Sequence, residues 1–406
     1  MTIQKLSTQT LYCWFFALIS LSLLTQCQST EYQPRLLNQD TLLVSAETFK
    51  NANSSVNHPI EKADDIFQLP EEAKEQIHKL IVSYRTMPEQ TRAVLKFIAS
   101  YADTGLIYDN SATYTASETL RYTRANCLSL SILAYSLAKE VGIDANFQDV
   151  QIPEYWTSQL NQTWLNAHVN LRIKQRRQVD NGMGVVMLGS DFIIDFDPYS
   201  LKKRFKTQPI TEQRIVAMFY NNKAAFAFAE QNYAQAYAYY KAAIKTDPKF
   251  AVTWSNLGIL YRIHNLNDLA ENLYYHSLAL EPDSINTLSN LAYLYRLQNK
   301  LNLADSLERK VTKQRETNPY YYLMLGNEAY IDQQYRLSIQ HYKKSLSLDR
   351  QNHEAYFGLA KSYFILEQLP QAERYLTKAK QHALTKQDEK KYQNKLNLLN
   401  QIALAY

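Results

Sequence analysis

Residues 251–284 read AVTWSNLGILYRIHNLNDLAENLYYHSLALEPDS, and stepping away from them by 34 residues meets the same outline in five consecutive units. With Trp254 at the fourth place of the unit, the eighth place is always small: Ala224, Gly258, Ala292, Gly326 and Ala360. The twentieth place holds Ala236, Ala270, Ala304, Ser338 and Ala372, and the twenty-seventh Ala243, Ser277, Val311, Ser345 and Ala379. Small residues at these places let two helices of one unit cross closely. Leu257, Leu291, Leu325 and Leu359, with Tyr261, Tyr295 and Tyr363, fill the groove between them. Pro248 and Pro282 cannot continue a helix and so end one. One such unit cannot bury its own apolar face, so the units must stack into one elongated core.

This spacing resembles the tetratricopeptide repeat. The resemblance implies an all-α superhelix over residues 213–386, closed by a capping helix over 387–406, with a concave face that takes a protein or peptide. Asn222, Asn256 and Asn290 share the sixth place of three successive units, on the helix that lines that face. They are candidate partner-binding residues whose amides would grip a peptide backbone or a terminal carboxylate; the plain alternative is that asparagine is frequent at this place in the repeat. Composition agrees with helices packed by aromatic rings. The 406 residues include only 8 glycines but 31 tyrosines. A formal net charge of +5 is too mild for a dedicated nucleic-acid surface.

At the other end, residues 11–24 (LYCWFFALISLSLL) form an uncharged apolar run, too short to span a bilayer and suited to a secretory signal. Leu24-Thr25-Gln26-Cys27 follows and resembles the lipobox of bacterial lipoproteins, with Gln26 where a small residue is expected. That resemblance implies lipidation of Cys27 and a site in the cell envelope, outside the cytoplasm. An uncleaved signal anchor and plain secretion are the other readings, and both also export the chain. Residues 28–59 read as a polar tether.

The middle of the chain carries the chemistry. Apolar residues recur at helical spacing after Pro70 (Ile77, Leu80, Ile81) and after Pro88 (Val94, Leu95, Ile98). Then Leu130, Leu133, Ala134, Leu137, Ala138 and Val141 form one stripe that Gly142 ends. Asn126 is a good N-cap for this helix, which puts Cys127 in its first turn, where the positive end of the helix dipole favours the nucleophilic thiolate. A nucleophilic cysteine needs a histidine base and a group to orient the imidazole. Val169, Leu171 and Ile173 alternate with His168 on the opposite face of a strand, and residues 191–198 form a second strand. If Asn181-Gly182 turns a hairpin between them, His168 stands opposite Asp195 and Val169 opposite Ile194. Gly189-Ser190 offers a second turn that would break this register, and Asp197 shares the face of Asp195.

Cys127, His168 and Asp195, with Gly142-Ile143-Asp144-Ala145 after the helix and Asp-Phe-Asp-Pro at residues 195–198, resemble the transglutaminase-like (papain-like cysteine) domain. The resemblance covers about residues 102–200, within a domain drawn at 60–212. It implies a fold class of α+β papain/transglutaminase-like domain followed by the all-α tetratricopeptide superhelix. It also implies a Cys-His-Asp triad that transfers acyl groups to water or an amine, as a peptidase, amidase or transamidase. Asn170 stands two residues after His168, where that family carries an aromatic. A non-catalytic envelope scaffold is the alternative. No Cys-x-x-Cys or His-Glu-x-x-His occurs, so no metal or other cofactor is implied.

Overall fold

The computed structural model describes residues 32, 34–51, 59–103, 107–109, 112–159, 162–174, 191–196 and 205–403. The apolar run at 11–24, Cys13, Cys27, the Asn181-Gly182 turn and Asp197 lie outside them. The chain is mostly helical, with one small antiparallel sheet. The described residues begin with α1 (Gln39–Leu42) and a 3-10 turn (Ala46–Phe49), followed by α2 (Ala63–Phe67), α3 (Glu71–Ile81) and α4 (Met87–Asp103). Pro70 is the N-cap of α3, where a missing N–H costs nothing. Two-residue strands β1 (Ile107–Tyr108) and β2 (Arg124–Ala125) pair in parallel around α5 (Ala116–Tyr122), which opens on a Thr115–Glu118 capping box.

The helix α6 (Cys127–Glu140) is apolar nearly all round, and every side chain from Leu128 to Ala138 is buried. A helix of that kind has to be central. On one side it meets the hairpin of β3 (Ala145–Gln159) and β4 (Gln162–Ile173): the Tyr135 and Phe147 rings stand 4.5 Å apart, and Ser131 Oγ donates to the Val169 carbonyl at 3.3 Å. The sheet order is β5-β4-β3-β6, with β5 (Phe192–Ile194) and β6 (Thr207–Pro209) on the two edges. The register of β3 and β4 shifts between Val150 and Tyr155, around Pro153, which has no N–H to give a ladder.

Five helix pairs then follow the 34-residue period. They are α7 (Glu212–Ala229) and α8 (Tyr233–Thr246), α9 (Ala251–Ile263) and α10 (Asn267–Leu280), and α11 (Ile285–Leu297) and α12 (Leu301–Arg315). The last two are α13 (Pro319–Ile331) with α14 (Tyr335–Leu348), and α15 (His353–Ile365) with α16 (Leu369–Gln381), after which α17 (Lys386–Ala403) buries Tyr392, Leu396 and Leu399. Each first helix stops in the same way. Gln231, Asn265, Asn299, Gln333 and Glu367, at the fifteenth place, all have φ between 57° and 60°. The next residue's N–H then reaches back five residues, as from Leu266 to Tyr261 at 3.0 Å and from Gln334 to Ala329 at 2.8 Å. Glycine is the usual residue for this left-handed stop, so part of the glycine shortage is a set of stops made without it, each costing roughly 1 kcal/mol.

The glycines that do occur in the array make room for rings. A Cβ on Gly326 would stand 2.5 Å from the Tyr342 ring, and one on Gly358 would stand 2.4 Å from the same ring. Tyr342 itself is fully buried. Gly358→Ala is therefore expected to destabilise the fourth and fifth units by about 1–3 kcal/mol, despite alanine's better helix propensity. A denaturation midpoint unchanged or raised in this variant would contradict that packing.

Two segments outside the repeats bind the array. Residues 34–51, expected as a polar tether, are instead a strap lying on the first two units. The strap buries Leu42 and Phe49, and Phe49 packs 4.7 Å from the Tyr237 ring and 5.4 Å from that of Tyr261. Tyrosine hydroxyls satisfy its main chain: Tyr261 donates to the Leu42 carbonyl at 2.9 Å and Tyr237 to that of Val44. The Leu37 N–H meets His276 Nδ1 at 3.0 Å. Composition hid this, because backbone groups make most of the polar contacts. The second segment is the far end of β3. There Glu154 pairs with Arg315 at 2.9 Å, with side chains only 14% and 10% exposed, and Tyr155 reaches Glu354 at 3.2 Å. Tyr155 also meets Tyr320 edge to face at 4.9 Å. The hairpin thus occupies part of the array's own surface across its third, fourth and fifth units.

Candidate functional site

The start of α6 is held from several sides. Asn126 accepts from Ser129 N at 2.9 Å as the N-cap, and its Nδ2 donates to Thr113 Oγ1 at 2.8 Å. Ser129 Oγ donates to the Ala112 carbonyl at 3.0 Å and accepts from Tyr114 N at 2.8 Å. This buried lattice fixes Cys127, a half-buried free thiol, at the first helical position. The amides of a first helical turn have no acceptor inside the helix and face outward as donors.

β4 presents His168 to that thiol. Cys127 Sγ lies 3.8 Å from the carbonyl of Ala167, the residue before His168, close enough for the sulfur's charge to act on the His168 ring. His168 Nε2 meets Asp195 Oδ1 at 2.8 Å, and both side chains are only 3% exposed. Nε2 therefore carries the proton that a carboxylate accepts, and Nδ1 is the atom left for the thiol. Burial alone would lower the His168 pKa, but the hydrogen bond to Asp195 and the nearby Cys127 sulfur outweigh it and raise the value to about 10. Asp149, on the neighbouring strand β3, is a carboxyl that burial holds above the ordinary range, opposed by Arg214 and His168.

The register differs from the expectation in one respect. Leu171 pairs with Ile194 and Arg172 with Ile193, so β5 is displaced by two residues, and Val169 does not face Ile194. An even displacement keeps every side chain on its face. Asp195 consequently stays on the side of His168 but stands level with Asn170, whose Nδ2 donates to Asp195 Oδ2 at 3.0 Å. Asn170 had been noted only as a departure from a pattern; a buried amide two residues from the histidine was the available signal.

The three asparagines of the array sit half-buried along successive first helices. Asn256 Nδ2 donates to Asn221 Oδ1 at 3.0 Å and Asn290 Nδ2 to Ser255 Oγ at 3.2 Å, each partner lying one unit back. Two of these amides are therefore engaged in stacking the units. Among the described residues no His/Cys/Asp/Glu group could hold a metal ion, and no helix is long and apolar enough to cross a membrane.

A family model described as the tetratricopeptide repeat matches residues 219–250. The chain carries a tetratricopeptide-repeat array, and such repeats bind proteins or peptides. No curated protein matches the chain. Among solved structures it is similar to PilW, a widely conserved type IV pilus biogenesis factor, at 25% identity over 43% of this chain and 81% of that one, with a TM-score of 0.26. It is similar to pilF of Pseudomonas aeruginosa at 16% identity, covering 48% of this chain and 94% of that one, with a TM-score of 0.27. YrrB, a TPR protein with an unusual peptide-binding site, shares 17% identity over 42% of this chain and 89% of its own, with a TM-score of 0.24.

Proposed function

We propose that this is an exported, membrane-anchored cysteine acyl-transfer enzyme of the transglutaminase-like type, whose array binds a protein or peptide partner. The observation that carries the reading is the joined set of Cys127 at a helix start, His168 beside it, and Asp195 on the far ring nitrogen at 2.8 Å. The reacting form pairs a His168 imidazolium with the Cys127 sulfur as its thiolate. The sulfur attacks an amide carbonyl carbon, and the oxyanion is met by the Cys127 backbone N–H at the start of α6. His168 Nδ1–H then protonates the leaving nitrogen as the C–N bond breaks, which leaves a thioester on Cys127 and a neutral imidazole. Water or an amine next attacks the thioester, gives its proton to Nδ1, and releases the acyl product and the cysteine. Asp195 keeps Nε2–H in place throughout.

The sign of the pH dependence follows from His168. A raised value means that the proton needed by the leaving amine is held through neutral pH and is lost only as the pH climbs through about 10. The test is incubation of the full chain with p-nitrophenyl acetate, and with muropeptide and protein panels plus a primary amine, beside Cys127→Ala. An acyl adduct on Cys127, and amide turnover whose alkaline limb lies well above pH 7, are expected. No adduct beyond that of a model thiol, with panels indifferent to Cys127→Ala, would leave the non-catalytic scaffold as the better reading.

A further inference from the structure

The bond from Asn170 to Asp195 decides how the Asn170 amide can face. A carboxylate only accepts, so Nδ2 must point at Asp195 and Oδ1 must point away. Asn170 is 3% exposed, and its Oδ1 is buried without a hydrogen-bond partner. The same is true of one neighbour. Gln148 on β3 is the Cα partner of Asn170, is 5% exposed, and has its Oε1 buried and unpartnered. Opposed residues of an antiparallel pair carry Cβ atoms about 4.5–5.5 Å apart, so these two amides are within reach of each other. Two bare acceptors side by side are a costly arrangement. Turning the Gln148 amide over exchanges Oε1 for Nε2, a donor, with no change in shape.

We propose that Asn170 and Gln148 are positioning residues for the site. Gln148 Nε2–H donates to Asn170 Oδ1, Asn170 Nδ2–H donates to Asp195 Oδ2, and Asp195 Oδ1 accepts from His168 Nε2–H. One carboxylate oxygen alone would let Asp195 swing about its own side-chain bond; the second bond fixes the plane that His168 meets. The donated N–H also favours the charged carboxylate, and through it the imidazolium. The charged and titratable groups acting on His168 are Cys127 from α6 and Asp195 after β5, while Asp149 on β3 is the Cα partner of Val169 and so belongs to the other face of the strand. Only the effect on rate rests on the acyl-transfer reading, because the chain of hydrogen bonds is a statement about His168 itself.

The experiment is an NMR titration of the His168 ring in the full chain, with the rate of Cys127 alkylation by iodoacetamide across pH as a second readout. Asn170→Ala is expected to lower the His168 midpoint by about one unit, the scale of one hydrogen bond to a charged group, and to move the alkaline step of the alkylation profile, where His168 loses its proton, down with it. Gln148→Met should move both readouts the same way by a smaller amount, because it strips a partner from Asn170 rather than from Asp195. If Asn170→Ala does not fold, Asn170→Asp, matched in shape, replaces it. Having only acceptors, that side chain must hold a proton to satisfy Asp195, so an extra titration step has to appear. A His168 midpoint unmoved in Asn170→Ala, or a missing extra step in Asn170→Asp, overturns the role of Asn170. An unmoved Gln148→Met overturns that of Gln148. Should wild-type Cys127 transfer no acyl group while these midpoints move, the enzymatic reading falls and the positioning role stands.

Discussion

Asp195→Asn is expected to cut amide turnover by about ten-thousandfold, the order seen when a triad carboxylate is replaced by its amide. The reason is specific to this site. Two N–H donors, His168 Nε2 at 2.8 Å and Asn170 Nδ2 at 3.0 Å, converge on the two oxygens of Asp195. An amide offers one oxygen and one NH₂, so with Asn170 held in its present orientation one donor must face another donor. Burial, which already opposes the charge on His168, then dominates, and the ring's midpoint falls from about 10. The linkage sign is fixed by that raised value. His168 contributes its stabilisation fully below its unfolded pKa of about 6.5 and loses it as the pH rises through about 10. The stability gap between the wild type and Asp195→Asn should therefore be widest below about pH 6.5 and close towards pH 10. Denaturant titrations at the two ends, with turnover beside them, check both statements. Turnover within tenfold of wild type would remove Asp195 from the mechanism.

The largest purely structural effect is expected from Phe49→Ala, at about 3–5 kcal/mol. Phe49 is fully buried among Tyr237, Tyr261 and His264, the last at 5.0 Å edge to face. Removing the ring opens a cavity at the seam between strap and array and loosens the hydrogen bonds on either side. Amide exchange at Leu37 and Val44 should accelerate together with the fall in midpoint. A strap only loosely attached would show neither change, and the variant would behave as a surface substitution.

The array was legible because its signal repeats: small residues at fixed places, with aromatics opposite them, identify a helix crossing wherever they recur. The start of α6 was legible for a local reason, since an asparagine cap and the residues after it need only each other. Joining His168 to Asp195 succeeded although the pairing was displaced by two residues, because a strand's faces alternate and an even displacement cannot change them. The transglutaminase-like arrangement of the surrounding domain remains part of the proposal. What escaped notice was whatever depends on a distant partner. Glu154, Tyr155 and Trp156 follow a proline and carry no periodic signal of their own, and Arg315, Tyr320 and Glu354 far along the chain give them a place. The strap escaped for the same reason, its grip being tyrosine hydroxyls on its own carbonyls.

A stack of repeats touching only its neighbours is, mechanically, a coil spring, able to stretch or tighten by small turns at every junction. This one is fitted with a crossbar. Glu61, at the entry to the sheet-bearing part, is fastened to the first unit by Lys223 at 3.0 Å and by the hydroxyls of Tyr220 and Tyr239. The far end of β3 is fastened to Arg315 and Glu354, on the third and fifth units. Between those two fastenings lies the β3–β4 ladder, in which Val150 is paired with His168. The same bar thus braces the array at both ends and carries the strand pair on which the histidine sits.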